Sequence, residues 1–422
     1  MRIALILLLI SSSVVAAVFN INSNELLRTP ESVQGDFKVA RVAPRVEVLI
    51  FEGLYDHQNV LWSSWGDGCL ASNGKYYTAI GDHRGTDGNS YVYEYDPAKH
   101  SMTRIVSVAE AIGQKPGEYG HGKIHSTIHE HKGSLYFATY WGKQKEVEAA
   151  YKKGYKGSLL LRFDLNSRKI ENLGAIAEGR GLPGSALDHT RQLLYFYGVQ
   201  GEKGEVVVYD LNKRRLKFQG GSQYTTDHRV FMMTKKGKVY FSDPNGKLSF
   251  YDPDKNTIVT TPLILPGPKG RLRAAARATS QDKIYGMTRA GRLFAFDSVN
   301  QTVKDLGPNF RGGEYTAAMV LSPDEKYVYF APGSHGSAIK SGTPVVQYEI
   351  KTGRRKVIAF LLQPFIKEAG YFIAGDYNMQ IDPKGAVLYA TFNGSKYSPG
   401  KEPQEFGLPA VVVVHIPENE RK

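Results

Sequence analysis

The chain reads as an all-β protein, a seven-bladed β-propeller of four-stranded antiparallel blades closed by an N-terminal strand. Two observations predict this. Short apolar runs carry a tyrosine at Tyr77, Tyr136, Tyr195, Tyr240, Tyr285, Tyr329 and Tyr389, 44–60 residues apart. Each is followed by an apolar stretch ending in an aromatic and an acid: Tyr95-Asp96, Phe163-Asp164, Tyr209-Asp210, Tyr251-Asp252, Phe296-Asp297 and Tyr348-Glu349, degrading to Val414-His415 in the last copy. Two motifs in register along the whole chain form an internal repeat, and a period in this range means a propeller or a solenoid. A β-solenoid would need shorter and more uniform repeats.

The copy from His228 to Pro262 shows the elements. His228–Thr234 is strand-like and Lys235-Lys236-Gly237 is a hairpin turn. Val239–Ser242 is the second strand, Lys247–Tyr251 the third and Thr257–Thr261 the fourth, with Pro244-Asn245-Gly246 and Asp252–Lys255 turning between them. Short runs rich in Val, Tyr and Phe, bounded by Gly, Pro, Asn and Asp, signal antiparallel strands. Seven such copies make seven blades, predicted to begin near residues 66, 122, 182, 228, 273, 315 and 376. The last copy runs out after Val411–Ile416, and Val46–Phe51 precedes the first copy. The latter is predicted to fill the missing fourth strand and so remove an open sheet edge.

Residues 1–17 have the form of a secretory signal peptide: Arg2, an apolar run Ile3–Ile10, then small residues, with cleavage after Ala16 or Ala17. The run is too short for a transmembrane anchor. Residues 18–44 are mixed polar and are expected to form an N-terminal arm, and residues 45–418 the propeller. A secreted or periplasmic monomer is expected. The single Cys69 excludes an internal disulfide and cysteine-based zinc clusters. The formal net charge of +13 points an exported protein toward an anionic partner such as an acidic polysaccharide. The sequence carries no nucleic-acid-binding motif. Asn300-Gln301-Thr302 and Asn393-Gly394-Ser395 match the glycosylation pattern.

In propellers, the loops entering each first strand and those between second and third strands gather on one face, around the channel. Entering loops are expected to bring Trp65 and Asp67; His121, Lys123 and His125; Tyr224, Asp227, His228 and Arg229; Arg271 and Arg273; Tyr315; and Asp376, Tyr377 and Asn378. Second loops bring His83, Tyr140, Trp141, Arg289 and His335. The stretch Tyr119–His129 stands out. Its glycines would let the backbone approach a ligand, and on an extended strand Lys123 and His125 share a face. His129 and His131 read as structural or solvated. Asp67, His83, His121 and His125 together could hold a divalent ion. Arg271, Arg273 and Arg277 share one parity, either as a polar face of a hydrated channel or as a carboxylate or sulfate clamp. No nucleophile elbow, phosphate loop or dinucleotide fingerprint is present.

With His, Tyr and Arg at the channel mouth and Gly120–His131 and Leu135–Gly142 as its closest part, the chain resembles the secreted propeller polysaccharide lyases. These are the ulvan lyases and, more distantly, the oligogalacturonate lyases. The resemblance implies β-elimination on a uronate-containing, in some cases sulfated, polysaccharide. His or Tyr would move protons, and Arg or a metal would neutralise the carboxylate. On that reading His121 and His125 surround proton transfer, Tyr224 is base or acid, and Arg229 or Arg273 neutralises the carboxylate. His83, Lys123, Tyr140, Trp141, His228, Arg271, Arg273, Arg289 and Tyr315 bind substrate. No cofactor is required by this chemistry, and a divalent ion is the one candidate. The competing functions are a non-catalytic propeller that binds an anionic glycan or a protein, since one fold hosts many functions, and a metal- or quinone-dependent oxidoreductase, for which the sequence has no cofactor box.

Overall fold

The computed structural model describes residues 17–51, 60–66, 68–141, 147–200, 203–225, 229–268 and 270–422. These residues form seven antiparallel sheets arranged as a propeller. Numbered from the N-terminus, the innermost strands of blades one to seven are Cys69–Leu70, Lys123–Ile124, Ser185–Asp188, Met232–Met233, Leu272–Ala275, Met319–Leu321 and Tyr371–Ile381. They lie within a few residues of the predicted starts.

Both repeat motifs have physical causes. The seven tyrosines all fall in second strands. Each enters the apolar cluster between its own blade and the next: Tyr77 with blade two, Tyr136 with blade three, and so on to Tyr389 with blade one. Burying an aromatic side chain contributes on the order of 1.5–3 kcal/mol, so the repeat places one such contact at every blade junction. The acids end the third strands and hold the following turn. Asp164 accepts from the Asn166 and Ser167 amides, Asp252 from those of Asp254 and Lys255, and Asp297 from those of Val299 and Asn300. A short side-chain acceptor folding back on its own turn is the local signal that Asp supplies.

The ring closes as predicted. Arg45–Ile50 pairs antiparallel with Ala410–His415, in register from Arg45↔His415 to Ile50↔Ala410. The preceding arm is not a loose polar cover. Val18–Ile21 adds a further strand outside Arg45–Ile50, and Lys38–Val39 runs parallel along the outer strand of blade six, Arg355–Phe360. Ile21, Leu26, Val33 and Ala40 are buried there. The arm therefore covers two sheet edges that would otherwise expose unpaired backbone groups. The signal-peptide reading falls outside the described residues, Ala17 apart. Among the described residues no helix is long and apolar enough to cross a membrane.

Candidate functional site

Trp65 is the centre of the channel mouth. Its backbone is pinned by two asparagines of blade seven. Asn393 accepts from the Ser64 amide (2.7 Å) and donates to the Ser64 carbonyl (3.0 Å), while Asn378 donates to the Gly66 carbonyl (3.3 Å). With its carboxamide so occupied and buried, Asn393 is unsuited to carry a glycan. The Trp65 ring meets His83 (centroids 4.9 Å apart), His125 (5.9 Å), His335 (5.7 Å), Tyr377 (4.8 Å) and Phe406 (5.3 Å). The Lys123 ammonium and the Arg229 guanidinium lie over it at 4.7 and 5.6 Å. The half-buried indole is thus an organiser of the site rather than a free stacking platform.

Two residues reach the site through bulges. On blade five, Leu272 pairs with Thr288 and Ala274 with Met287, so Arg273 is an extra residue in its strand. A bulge re-aims a side chain. Arg273 turns inward, buried, over the Tyr315 ring at 4.7 Å, and its Nε donates to the Tyr315 hydroxyl. The bulge also breaks the predicted parity. Arg277 points to solvent at the opposite end and pairs with Glu325 (3.3 Å). On blade seven the register shifts on both sides of Asp376–Asn378. These residues, predicted in an entering loop, lie within the strand Tyr371–Ile381, and Tyr377 is turned onto Trp65.

The electrostatics are unusual. Among the described residues Lys123, Arg229 and Arg273 have no carboxylate partner. Arg229 Nη1, His83 Nε2 and the Tyr377 hydroxyl are buried with no hydrogen-bond partner among the described residues, an arrangement costly unless a ligand supplies one. His125 Nδ1 lies 2.9 Å from the Pro183 carbonyl. A carbonyl only accepts, so Nδ1 carries the proton and Nε2 keeps its lone pair. Burial, followed by the Arg229 and Lys123 charges, holds His125 well below the ordinary histidine range. Burial and the Lys123 charge bring His83 down to about 3. Burial and the Arg229 charge bring Lys123 down to about 7. Burial raises Tyr377 well above the usual phenol range. Trp65, His125, Arg229, Arg273 and Tyr377 line one cavity of about 40 Å³.

Several expected residues stand elsewhere. His121 is not at the mouth. The first strand of blade two is interrupted, with only Lys123–Ile124 and His129–His131 paired to Ser134–Tyr140. His121 bonds Thr139 (2.8 Å) and packs on Tyr155 (5.1 Å), and burial keeps it neutral, down to about 4. The glycines of this stretch serve backbone packing, not a ligand: a Cβ on Gly122 would sit 2.5 Å from the Arg84 carbonyl oxygen. Trp141 is buried against Tyr140 and Tyr155, so only Tyr140, packed on His125 at 5.2 Å, touches the site. Arg289 is exposed and Arg271 half-buried on the blade-five loops, joined to each other through backbone (2.8 Å). Tyr224 lies in the outermost strand of blade three, Arg215–Thr225, not in a loop entering blade four. Its side chain, Asp67, Asp227 and His228 are outside the described residues.

Of the four residues expected to hold a metal, Asp67 lies outside the described residues. His121 is committed to Thr139, His125 uses Nδ1 on Pro183, and three cations surround the remaining space. Among the described residues no group of three His, Cys, Asp or Glu is arranged to hold a metal. Phe406 was not foreseen, because the connection over residues 397–409 carries no repeat motif to mark it.

No family model matches the chain. Solved structures similar to it include the RRP9 WD40 repeats (TM-score 0.54, 10% identical, covering 87% of this chain and 97% of that one). U3-55K is similar at TM-score 0.53 and 10% identity, covering 87% and 98%. A chain of the Mitotic Checkpoint Complex is similar at TM-score 0.54 and 11% identity, covering 87% and 93%. At these identities they show the propeller fold alone. Ornithine aminotransferase from two strains of Staphylococcus epidermidis is 25% identical over 182 residues, 38% of this chain and 46% of the enzyme. The chain thus matches less than half the length of that relative, and no family follows from it. None of these proteins is named as a polysaccharide lyase, so that resemblance rests on the site residues.

Proposed function

We propose that this chain is an exported lyase that cleaves a uronate-containing polysaccharide by β-elimination at the Trp65 site. The observation that supports it most is the meeting of three basic side chains, Lys123, Arg229 and Arg273, that have no acid partner among the described residues, with a neutral His125 and a Tyr377 hydroxyl unpaired among those residues. A uronate carboxylate would supply the missing counter-charge. Pairing it with guanidinium groups stabilises the enolate-like intermediate formed when the proton alpha to it leaves. His125 Nε2 takes that proton, the C–H electron pair becomes the new C=C bond, and the C–O bond to the leaving sugar breaks. Tyr377, held protonated by burial, gives its proton to the departing oxygen. Burial and then the neighbouring cations make His125 a weak base, and the bound carboxylate offsets the cations' charge and so raises its basicity. In this scheme Tyr377 takes the part expected of Tyr224, and His121 drops out.

A second reading, anion recognition without catalysis, is favoured by the size of the cavity. Its volume of about 40 Å³ admits a carboxylate rather than a sugar ring, well below the roughly 300 Å³ at which ligand pockets begin. Digestion of acidic polysaccharides followed by ultraviolet absorbance separates the two. Elimination leaves a conjugated double bond that absorbs, and His125→Ala and Arg229→Ala should each cost on the order of a hundredfold or more in rate. Tight binding with no absorbing product from any uronate polymer would leave recognition alone.

A further inference from the structure

Beside the small cavity lies a much larger one. In blade seven the strands Val387–Lys396 and Ala410–His415 are joined by residues 397–409. This connection is anchored: Gly407 donates to the Trp62 carbonyl, Leu408 to the Gly394 carbonyl (both 3.0 Å), and the Gln404 amide to Ser395 Oγ (3.2 Å). It walls a groove of about 660 Å³. Phe406 lines that groove and stacks on Trp65 with ring planes 22° apart, so one ring of the groove wall is in contact with the Trp65 site.

We propose that this groove binds the neighbouring sugar units of the polymer whose carboxylate enters the Trp65 site, an inference that rests on the anionic-glycan reading of that site. The lining matches sugar chemistry. Tyr397, 39% exposed, and Phe406 offer aromatic faces to the C–H side of a ring. Gln404, Ser398, Lys401 and Glu402 offer donors and acceptors to hydroxyls. Other occupants fit less well. Val387–Lys396 is paired on both sides, leaving no edge to which a peptide could add a strand. The mixed polar lining does not suit a lipid chain. The volume falls in the range of roughly 300–1,000 Å³ for ligand sites, which the Trp65 cavity does not reach. On this proposal one carboxylate enters the Trp65 site and its neighbours occupy the groove.

The test is binding calorimetry on the full chain with size-fractionated fragments of polygalacturonate, alginate and ulvan, comparing the parent with Tyr397→Ala and Gln404→Ala. Affinity should rise with fragment length in the parent. Tyr397→Ala should weaken long fragments roughly tenfold while leaving the shortest binders unchanged. Equal affinity for short and long fragments, or variants identical to the parent on long ones, overturns the groove. Length-dependent binding lost in the variants, without any ultraviolet product, keeps the groove and removes the elimination. Absence of binding to all three polymers removes both.

Discussion

The Trp65 indole lies 27° from parallel to the His125 imidazole, and Nδ1 of that imidazole is tied to the Pro183 carbonyl. Stacking and one hydrogen bond together fix both the tautomer and the direction of the free Nε2. Pre-set orientation of a proton-transfer group matters because small misplacements are costly in rate.

Trp65 therefore offers a direct readout. The other two tryptophans, Trp62 and Trp141, are fully buried. An anionic ligand at the mouth should change the tryptophan emission of the parent and leave that of Trp65→Phe nearly unchanged. Trp65→Ala removes the shared wall of five rings and should lower stability by about 2–3 kcal/mol, less than a fully buried tryptophan. An identical emission change in parent and Trp65→Phe would place the ligand elsewhere.

Lys123 predicts the pH dependence of binding. Its ammonium is held down to about 7 by burial and by Arg229. Below that pH it is charged and assists an anion; above it the neutral amine does not. Affinity for an acidic glycan should fall as pH rises from about 6 to about 8. Binding near pH 7 should take up protons, since the anion's charge raises the lysine pKa. Calorimetry in buffers of different ionisation enthalpy measures that uptake, and Lys123→Met should abolish it. Affinity should also fall with added salt through screening.

The folded lysine binds its proton more weakly than the unfolded one, so between about pH 7 and 10.5 the unfolded chain holds the extra proton. The resulting penalty is complete below about 7 and is relieved as pH rises. Lys123→Met should therefore be more stable than the parent at pH 6 in thermal melts. The advantage should shrink toward pH 10.

The fold was legible because each motif has a local cause that repeats: a tyrosine for every blade junction and an acid for every third-strand turn. The site was legible only in part. Loop membership follows from the repeat, so Lys123, His125, Arg229 and Arg273 are found by position. Side-chain direction does not follow, because bulges at Arg273 and around Tyr377 shift the two-residue period locally. No composition rule announces a bulge where the partner strand, not the bulged residue, sets the register. His121 misleads for a related reason: the strand that would have aimed it breaks before it, and Thr139 and Tyr155 capture the ring.

Arg273 and Tyr315 test the value of guanidinium geometry. Arg273 donates Nε to the Tyr315 hydroxyl and Nη1 to the Ala317 carbonyl (3.4 Å). Lysine cannot reproduce two donors in one plane. Arg273→Lys should therefore weaken anion binding about as much as Arg273→Ala, roughly tenfold or more. Tyr315→Phe should have a smaller effect in the same direction. Full binding by Arg273→Lys would mean that charge alone matters there.

The closure of the ring yields the last prediction. Glu47, on the closing strand Arg45–Ile50, is buried between blade seven and blade one. It accepts from His415 Nε2 (2.8 Å) on one side and from His100 Nδ1 (2.7 Å) on the other, with Arg45 Nη1 at 2.5 Å and Tyr95 donating at 3.2 Å. Burial works against its charge. The hydrogen bonds from His415 and His100 and the Arg45 charge outweigh it, pulling the carboxyl from 4.5 down to about 2. A carboxylate lowered on folding contributes stability above its unfolded pKa, and that contribution is lost as pH falls through the folded value. The seam between first and last blades should thus weaken between about pH 4.5 and 2. Glu47→Gln keeps the shape but leaves its partners without a counter-charge, and should cost on the order of 3 kcal/mol near neutral pH. Its loss of stability over the acid window should be shallower than the parent's. Thermal melts of both proteins across that window decide it: parallel curves would show that Glu47 does not hold the ring closed.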